Sequence, residues 1–360
     1  MAIQLSEHFN YKKLIKFTIP TIVMMIFTSI YGVVDGIFVS NCVGSDAFAA
    51  VNLIMPVLMI MGSIGFMIGT GGSAIVSKTI GEGDKEKANR YFSMLIYFLI
   101  IAGTLLTIIG EIFIEPIAKA LGAEGDILTN CVIYGRVLTL ALIPFLLQNS
   151  FQSFLVVAEK PQMGLIISIM AGITNMVLDF VFMYIFKMEV FGAALATAIS
   201  QLIGGIIPLI YFISKNNSPL KLVKTNFEIN AIVKTCTNGS SEMLTNLSMS
   251  LVNMLYNMQL MKLIGADGVV AYGIIMYISF VFSSTYIGYS IGVAPIIGYH
   301  YGADNKDELK NLFKKSLIII GTVALVMTLL AEILSGVLAS IFVSYNKELL
   351  EMTSLAIRLF

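Results

Sequence analysis

Long apolar runs separated by short polar segments make up most of this chain. A run of about twenty apolar residues is long enough to cross the hydrocarbon core of a bilayer as an α-helix. The pattern therefore predicts nine complete membrane-spanning helices and a tenth that is cut off at Phe360. Their approximate bounds are 14–40, 47–80, 90–114, 127–156, 162–186, 190–213, 231–262, 268–300, 313–334 and 348–360.

The longest polar break in the chain lies between the sixth and seventh predicted helices, at residues 214–228. Its lysines, asparagines and single proline are typical of a connection between structural units. We therefore predict an N-terminal six-helix lobe at 1–214 and a cytoplasmic linker between the lobes at 215–228. The C-terminal lobe is expected at 229–360, truncated within its fourth helix.

The two predicted lobes resemble each other at an offset of 221 residues. Residues 43–50 align with 264–271, and the polar loop 81–86 aligns with 302–307. Because the offset covers six helices, an even number, both copies have the same orientation and an axis along the membrane normal relates them. The expected fold class is an all-α polytopic membrane protein with two six-helix bundles related by a parallel internal repeat. The second bundle is expected to be incomplete, since its full copy would extend to about residue 434.

Composition and charge support a membrane protein and argue against several other classes. Hydrophobic residues make up 57% of the chain and charged residues only 12%, about half the charged fraction of an ordinary soluble domain. The formal net charge is zero, which gives no case for nucleic-acid binding. Three scattered cysteines and two histidines supply neither a disulfide framework nor a zinc site, so we expect no cofactor. The first apolar run is too long for a signal peptide and is predicted to be a retained helix.

Lysine and arginine are distributed unequally between the two sides of the predicted bundle. The N-terminus and every second loop carry sixteen of them, whereas the opposite loops carry four. Positive residues accumulate on the cytoplasmic side of membrane proteins. We therefore expect a multi-pass protein of the cell (inner) membrane, in contact with membrane lipid, with a cytoplasmic N-terminus. We further expect it to be monomeric.

Four ionisable residues lie inside the predicted spans, away from the helix ends: Asp35, Arg136, Asp179 and Glu242. Charged groups inside a bilayer are costly, so each one suggests a function or a paired partner. For Arg136, we favour pairing with a neighbouring acid or carbonyl group over substrate binding. Glu242 is either a second ion or substrate contact in the other lobe or a hydrated residue that faces the cytoplasmic cavity.

Two of these acids share one depth in the first lobe. With the predicted topology, Asp35, Tyr134, Asp179 and Thr197 all lie roughly 7–11 Å below the outer surface, at about 1.5 Å per helical residue. Asn175 lies one turn below Asp179 on the same helix face. Such a group can hold a proton or a sodium ion and release it when water access changes. The alternative is that both aspartates only hydrogen-bond neighbouring helices.

The glycine-rich segment 68–73 suggests a phosphate-binding loop at first sight. The Gly-Lys-Ser/Thr ending that such a loop requires is missing from it. Together with Gly62 and Gly65, the segment forms a small-residue face that suits close helix packing. We therefore expect it to be a packing surface.

The sequence resembles the multidrug and toxic compound extrusion (MATE) transporters over its whole length. The most specific segments are 31–39, 158–161, 175–182 and 192–200, taken in this order and spacing. The resemblance implies twelve helices in two six-helix lobes. It also implies export of cationic, often aromatic drugs and dyes in exchange for protons or sodium.

The resemblance also carries residue roles to this chain. In relatives with a cation site in the N-terminal lobe, the matching positions here are Asp35, Tyr134, Asn175, Asp179 and Thr197. If the ion is Na⁺, Asp35, Asn175 and Asp179 are its expected ligands. Some relatives have a sodium site in the C-terminal lobe, but no acid stands at the equivalent place on the seventh helix here. This favours coupling through the N-terminal lobe and leaves the choice between H⁺ and Na⁺ open.

The leading hypothesis is a cation-coupled (H⁺ or Na⁺) antiporter, not an enzyme, that exports cationic or amphipathic small molecules by alternating access. The second is a flippase for lipid-linked oligosaccharides or precursors of the same superfamily. Flippases of this kind tend to line their cavity with basic residues, and Arg136 is the only basic residue well inside the first six helices. A membrane-embedded enzyme would need a nucleophile–base pair or a metal cluster, and no His or Cys is placed for either.

Overall fold

The computed structural model of the protein describes residues 3–43, 45–264, 266–343 and 347–359. These residues form eleven α-helices and one π-helical turn, and no β-strand occurs among them. In chain order they are α1 Tyr11–Cys42, α2 Ser45–Gly81, α3 Lys85–Ala120, α4 Gly125–Leu140, α5 Leu142–Val157, α6 Pro161–Asp179, the π-helical turn Phe180–Ile185, α7 Glu189–Ile213, α8 Ile229–Leu263, α9 Ala266–Gly302, α10 Lys306–Val343 and α11 Lys347–Leu359.

Most of these helices are long and apolar enough to cross a bilayer. By length and composition, seven helices in the described ranges meet this condition, and the bent pair α4–α5 is an eighth if it forms one span. The prediction of a polytopic all-α membrane protein is therefore confirmed. The remaining predicted span, 231–262, coincides with the 35-residue helix α8. That helix is rich in Ser, Thr and Asn and lies outside the apolar set.

The predicted helix 127–156 is divided into two segments in the structure, α4 and α5. α4 and α5 are separated at Ala141 and bent by 59°. Pro144 follows three residues later. Proline lacks a backbone N–H and restricts the residue before it, which disfavours a straight helix through this position. Tyr134 and Gln148 consequently lie on two segments with different directions.

Helices α1 to α7, the N-terminal lobe, are held by two clusters of buried apolar side chains. The first is centred on α5, where Phe154 contacts Phe92 at a ring-centroid distance of 5.0 Å and Phe151 stacks on Phe212 at 5.5 Å. The second joins α1, α2, α3, α4 and α7 around the fully buried Tyr134. The packing of this second cluster fixes the position of the Tyr134 ring inside the lobe.

Helices α8 to α11, the C-terminal lobe, contact the N-terminal lobe mainly by packing α8 and α9 against α1 and α2. Close contacts lie toward the basal end of the bundle, where α1 and α8 begin and α2 and α9 end. A β-carbon on Gly71 would come within 3.0 Å of the Thr235 carbonyl oxygen. A β-carbon on Gly239 would likewise come within 3.0 Å of the Met67 carbonyl oxygen. The lobes are therefore closed against each other at the basal end. Residues 214–228 connect them without helix, and the predicted lobe boundaries stay a prediction.

The N-terminal strap, residues 3–10, precedes α1 and crosses the basal end to α10. The Phe9 N–H donates a hydrogen bond to Glu308 Oε1 at 2.9 Å, and His8 Nδ1 lies 2.5 Å from Glu308 Oε2. The Phe9 carbonyl accepts hydrogen bonds from Asn311 Nδ2 at 3.1 Å and from Lys315 Nζ at 2.6 Å. Both backbone groups of Phe9 are thus paired with the C-terminal lobe.

The strap is also anchored by apolar burial and by the N-terminal lobe. Leu5 and Phe9 are buried in one cluster with Val156 of α5 and Ile296 of α9. The Leu5 N–H donates to Glu159 Oε1 at 2.9 Å. Burial raises the pKa of Glu159 above its ordinary value. The strap therefore connects the α5–α6 loop with α10.

Candidate functional site

The five residues that the sequence predicts at a similar depth in the membrane lie on four helices. Asp35 is on α1, Tyr134 on α4, Asn175 and Asp179 on α6, and Thr197 on α7. These helices are neighbours, since α1 packs against α6, α6 against α7, and α4 against α7. Asp179, Asn175 and Tyr134 are at most 1% exposed and Asp35 is 8% exposed. The two aspartates therefore lie inside the N-terminal lobe and do not face lipid.

The structure brings all five side chains together in one group, the acidic cluster. The carboxyl group of Asp35 adjoins the carboxyl group of Asp179 and the side-chain amide of Asn175. The Tyr134 hydroxyl lies beside Thr197 and within electrostatic range of both carboxyl groups. Asn175 Nδ2 donates to Thr197 Oγ1 at 3.4 Å. Two acids, an amide, a phenol and a hydroxyl thus converge at one place.

Several oxygens of the acidic cluster accept no hydrogen bond of normal geometry within the described part of the chain: Asp179 Oδ1 and Oδ2, Asp35 Oδ1, Asn175 Oδ1 and Tyr134 Oη. A buried carboxylate without a partner is costly, and the cost falls when a proton or cation neutralises it. Carboxylate and amide oxygens are also the ligands that hard cations prefer. The arrangement has the chemistry to bind a proton or a sodium ion.

The local backbone explains how the two acids meet. α6 ends at Asp179 and continues into the π-helical turn Phe180–Ile185. Such turns are rare and frequently occur at functional sites. On the same helix, a β-carbon on Gly172 would come within 3.0 Å of the Phe27 ring of α1. The glycine therefore allows α1 and α6 to approach closely enough for Asp35 and Asp179 to adjoin.

The other residues singled out in the sequence lie outside the acidic cluster. Arg136 Nε lies 4.0 Å from Glu111 Oε2, which confirms the predicted pairing with an acid. Glu242 is half-buried on α8 in the other lobe, and neither of its predicted roles is decided. Gly69 packs against the backbone of Ser150, as the small-residue face predicts.

Sequence analysis missed a polar group that lies next to the acidic cluster. Tyr31 is one helical turn before Asp35, and its hydroxyl lies beside the Gln148 side-chain amide. Gln148 and Gln152 are buried in α5 and share one face, because they are four residues apart. Two glutamines at this spacing inside a predicted membrane span are the signal that would have located them.

Comparisons with known proteins identify relatives of the chain. The MatE family model matches residues 20–181 and 243–360. The chain is 26% identical over 323 residues to the multidrug export protein MepA of Staphylococcus saprophyticus, covering 88% of this chain and 71% of that protein. It is 27% identical over 320 residues to MepA of Staphylococcus aureus strain NCTC 8325, covering 88% and 70%.

A solved structure shows the same fold. It is described as the outward-facing conformation of a multidrug resistance MATE family transporter, and it superposes with a TM-score of 0.91. The superposition covers 98% of this chain and 78% of that one, at 23% sequence identity. At this identity, the likeness concerns the arrangement of the helices.

Proposed function

Because the chain belongs to the MatE family, we propose that it is a secondary antiporter that exports cationic or amphipathic small molecules across the cell membrane. The exchanged ion is H⁺ or Na⁺. Two relatives that match most of the chain are named multidrug export proteins, which supports the substrate class. The observation that carries ion coupling is the buried pair of Asp35 and Asp179, in which Asp35 Oδ1 and both carboxyl oxygens of Asp179 lack hydrogen-bond partners among the described residues.

The predicted orientation gives the acidic cluster its part in the transport cycle. Lysine and arginine concentrate at the basal end, so we assign that end to the cytoplasm. The lobes are closed there by the contacts of Gly71 and Gly239 and by the N-terminal strap. In this conformation the acidic cluster takes up its ion from the outside.

Ion binding acts on the lobes through α1. An ion between Asp35 and Asp179 removes their mutual repulsion and thereby changes the preferred packing of α1 against α6. The same helix carries Ser29, whose hydroxyl hydrogen-bonds Ser284 of α9 in the C-terminal lobe. A ligand shifts a conformational equilibrium only if its affinity differs between the two conformations. The acid pair provides this difference in affinity for the ion. Movement of α1 transmits it to the lobe junction.

The described part of the N-terminal lobe offers no observation in favour of the flippase alternative. Its expected feature is a cavity lined by basic residues that hold a diphosphate. Arg136, the basic residue inside the first lobe, is paired with Glu111. We therefore do not propose lipid-linked substrates.

Dye export tests the proposal directly. Expression from the complete gene in drug-sensitive cells should lower the accumulation of ethidium and other cationic dyes. Asp35→Asn and Asp179→Asn should abolish efflux while membrane insertion stays normal, because an amide cannot give and take a proton or balance a cation. Asp126→Asn is the matched control, since Asp126 is exposed at the start of α4. Unchanged accumulation of several dyes would overturn drug export, and normal pumping by both cluster variants would overturn the ion site.

The coupling ion is identified in proteoliposomes with separately imposed proton and sodium gradients. Dye movement that follows only one gradient assigns that ion. Dye movement without any response to either gradient would contradict antiport.

A further inference from the structure

The linker between the lobes, residues 214–228, is bound along the basal half of α3. Three polar side chains of α3 contact it, and they share one helix face because they are four residues apart: Asn89, Ser93 and Tyr97. The Lys221 N–H donates a hydrogen bond to Asn89 Oδ1 at 2.8 Å, and the Val223 N–H donates to Ser93 Oγ at 2.8 Å. The Val223 carbonyl accepts a hydrogen bond from Tyr97 Oη at 3.4 Å. Polar groups of α3 thus pair with backbone that belongs to no helix.

Ser93 holds the linker from inside the lobe. Its side chain is fully buried, and its hydroxyl donates to the Asn89 carbonyl of its own helix at 2.7 Å. The same oxygen accepts the hydrogen bond of the Val223 N–H. Buried polar groups in native structures generally have partners, and the linker backbone supplies one of the partners of Ser93. The contact is therefore part of the packed lobe.

The first part of the linker is also bound to α5 and α7. Leu220 is fully buried in the apolar cluster centred on α5. The Leu222 N–H donates to the Phe212 carbonyl at 3.2 Å, and Asn216 Nδ2 donates to a carbonyl in the last turn of α7 at 3.0 Å. Residues 214–223, the docked segment, are therefore attached to three helices of the N-terminal lobe.

The rest of the linker, residues 224–228, is here called the tether. Four of its five residues are exposed. Glu228 contacts α3 through its N–H, which points at Met94 Sδ at 3.2 Å, and through its carboxyl group beside Tyr91. A thioether sulfur is a weak acceptor, so this attachment is weaker than the hydrogen bonds of the docked segment. The tether leads directly into α8, which begins at Ile229.

We infer that the docked segment moves as a part of the N-terminal lobe and that the tether sets how far the lobes separate at the basal end. The inference rests on the proposed antiport, which requires the basal end to open, and it holds for H⁺ and Na⁺ alike. Ala231, in the first turn of α8, is buried in the cluster centred on α5. This turn has to leave the N-terminal lobe when the basal end opens, and the tether provides the length for it.

The length of the tether gives the limit. Val223 and Ile229 are six residues apart, so a fully extended chain between them spans at most about 20–22 Å. If the docked segment were free, the sixteen residues from Ile213 to Ile229 would span about 53–58 Å. Docking therefore reduces the reach of the connection to less than half.

Distances between spin labels in the complete protein test which lobe the docked segment follows. In a background without the three native cysteines, labels are placed in pairs at three exposed positions: Lys221 of the docked segment, Gln162 of α6 and Lys310 of α10. When proton, sodium or dye concentration changes, we expect the Gln162–Lys310 and Lys221–Lys310 distances to shift together. The Lys221–Gln162 distance should stay constant.

A shortened tether tests the limit on opening. Deletion of Thr225 and Asn226 shortens the reach by about 7 Å. We expect the longest Gln162–Lys310 distances and most of the dye efflux to be lost. Freeing the docked segment should restore both, because it returns the missing length.

The docked segment is freed by combining Asn89→Ala with Ser93→Ala in the shortened protein. Thr104→Ala is the matched control on the same helix, because the Thr104 hydroxyl donates to the Ile100 carbonyl of α3 itself at 2.7 Å and does not contact the linker. It should not restore efflux. Recovery only in the first variant distinguishes a limit on length from general damage to the fold.

The outcomes separate the tether from the proposed function. A Lys221–Gln162 distance that shifts as much as the Gln162–Lys310 distance would overturn the inference. Wild-type efflux from the shortened protein, or no recovery when the docked segment is freed, would also overturn it while dye export stands. If the shortened protein fails to insert, the label distances in the unshortened chain decide. Absence of both dye export and lobe movement under either gradient would instead overturn the proposed function.

Discussion

Gly81 and Gly302 lie 221 residues apart and make reciprocal contacts. Gly81 packs against the backbone of Tyr299, three residues before Gly302, and Gly302 packs against the backbone of Lys78, three residues before Gly81. A β-carbon on Gly81 would come within 3.0 Å of the Tyr299 carbonyl oxygen. A β-carbon on Gly302 would likewise come within 3.0 Å of the Lys78 carbonyl oxygen. Reciprocal contacts at one constant offset are expected where a two-fold axis relates two copies of a unit. They support the parallel repeat predicted from the sequence and locate its axis near the contact of α2 with α9.

Substitution of Gly302 should open the basal end. We expect Gly302→Ala to hold α2 and α9 apart, because the Lys78 backbone cannot move away as a flexible side chain can. Overpacking of this kind costs about 1–3 kcal/mol, and such an energy shifts a two-state equilibrium by about 5- to 150-fold. The measurement is the distance distribution between spin labels at Glu82 and Ala303, which should gain a longer component.

A second glycine provides the control for this experiment. Gly321 is in α10, and a β-carbon there would meet no atom within 4 Å. Gly321→Ala should therefore leave the label distances at the basal end unchanged. Equal widening in both variants, or no widening in Gly302→Ala, would contradict the prediction.

Removal of the Glu308 carboxyl group should release the N-terminal strap. Glu308→Ala leaves the buried Phe9 N–H without its acceptor, which costs about 1–3 kcal/mol. We expect faster trypsin cleavage after Lys12 in membranes whose basal face is accessible. Asp304→Asn is the control, because the exposed pair of Asp304 and Lys306, at 3.7 Å, contributes little to stability. Unchanged cleavage in Glu308→Ala would show that the strap is held by other contacts.

At the other end of the strap, Glu159→Gln should be nearly neutral and Glu159→Leu harmful. The Leu5 N–H needs an oxygen acceptor, which glutamine keeps and leucine lacks. Burial already raises the pKa of Glu159, so its surroundings do not favour the negative charge. The lost hydrogen bond is worth about 0.5–1.5 kcal/mol. Hydrogen exchange of the Leu5 amide measures it, and an equal loss of protection in both variants would mean that the charge itself is required.

The apolar pattern predicts helix positions well, because span length and hydrophobicity are local properties of the chain. The predicted helices 190–213 and 231–262 agree with α7 and α8 to within two residues. The apolar pattern does not predict the break at Ala141, because apolar residues both precede and follow it in the chain. Proline is no reliable signal either, because Pro20 lies inside the continuous helix α1.

The depth of the acidic cluster could be predicted from the sequence, whereas the neighbouring contact of Tyr31 with Gln148 could not. Counting residues from the helix ends placed Asp35 and Asp179 at one level, and the structure adds that their helices are neighbours. Depth does not say which way a side chain points around its helix. Tyr31 of α1 and Gln148 of α5 meet through their long side chains, and the small residue Gly204 of α7 leaves room for the glutamine. These are three-dimensional relations that no local pattern contains.

Tyr134→Phe should weaken ion coupling without loss of the fold. The ring is fully buried in the apolar cluster of the N-terminal lobe, and phenylalanine keeps that packing. The hydroxyl lies within electrostatic range of Asp35 and Asp179. Under the proposed function, its removal takes one polar partner from the ion. We expect the ion concentration for half-maximal dye efflux to rise about 5- to 10-fold, the effect of a hydrogen bond worth about 1 kcal/mol. Tyr97→Phe is the control, because its partly exposed hydroxyl makes only a long hydrogen bond of 3.4 Å to Val223. An unchanged half-maximal concentration in Tyr134→Phe would exclude this hydroxyl from the ion site, and a lower melting temperature would show that its role is structural.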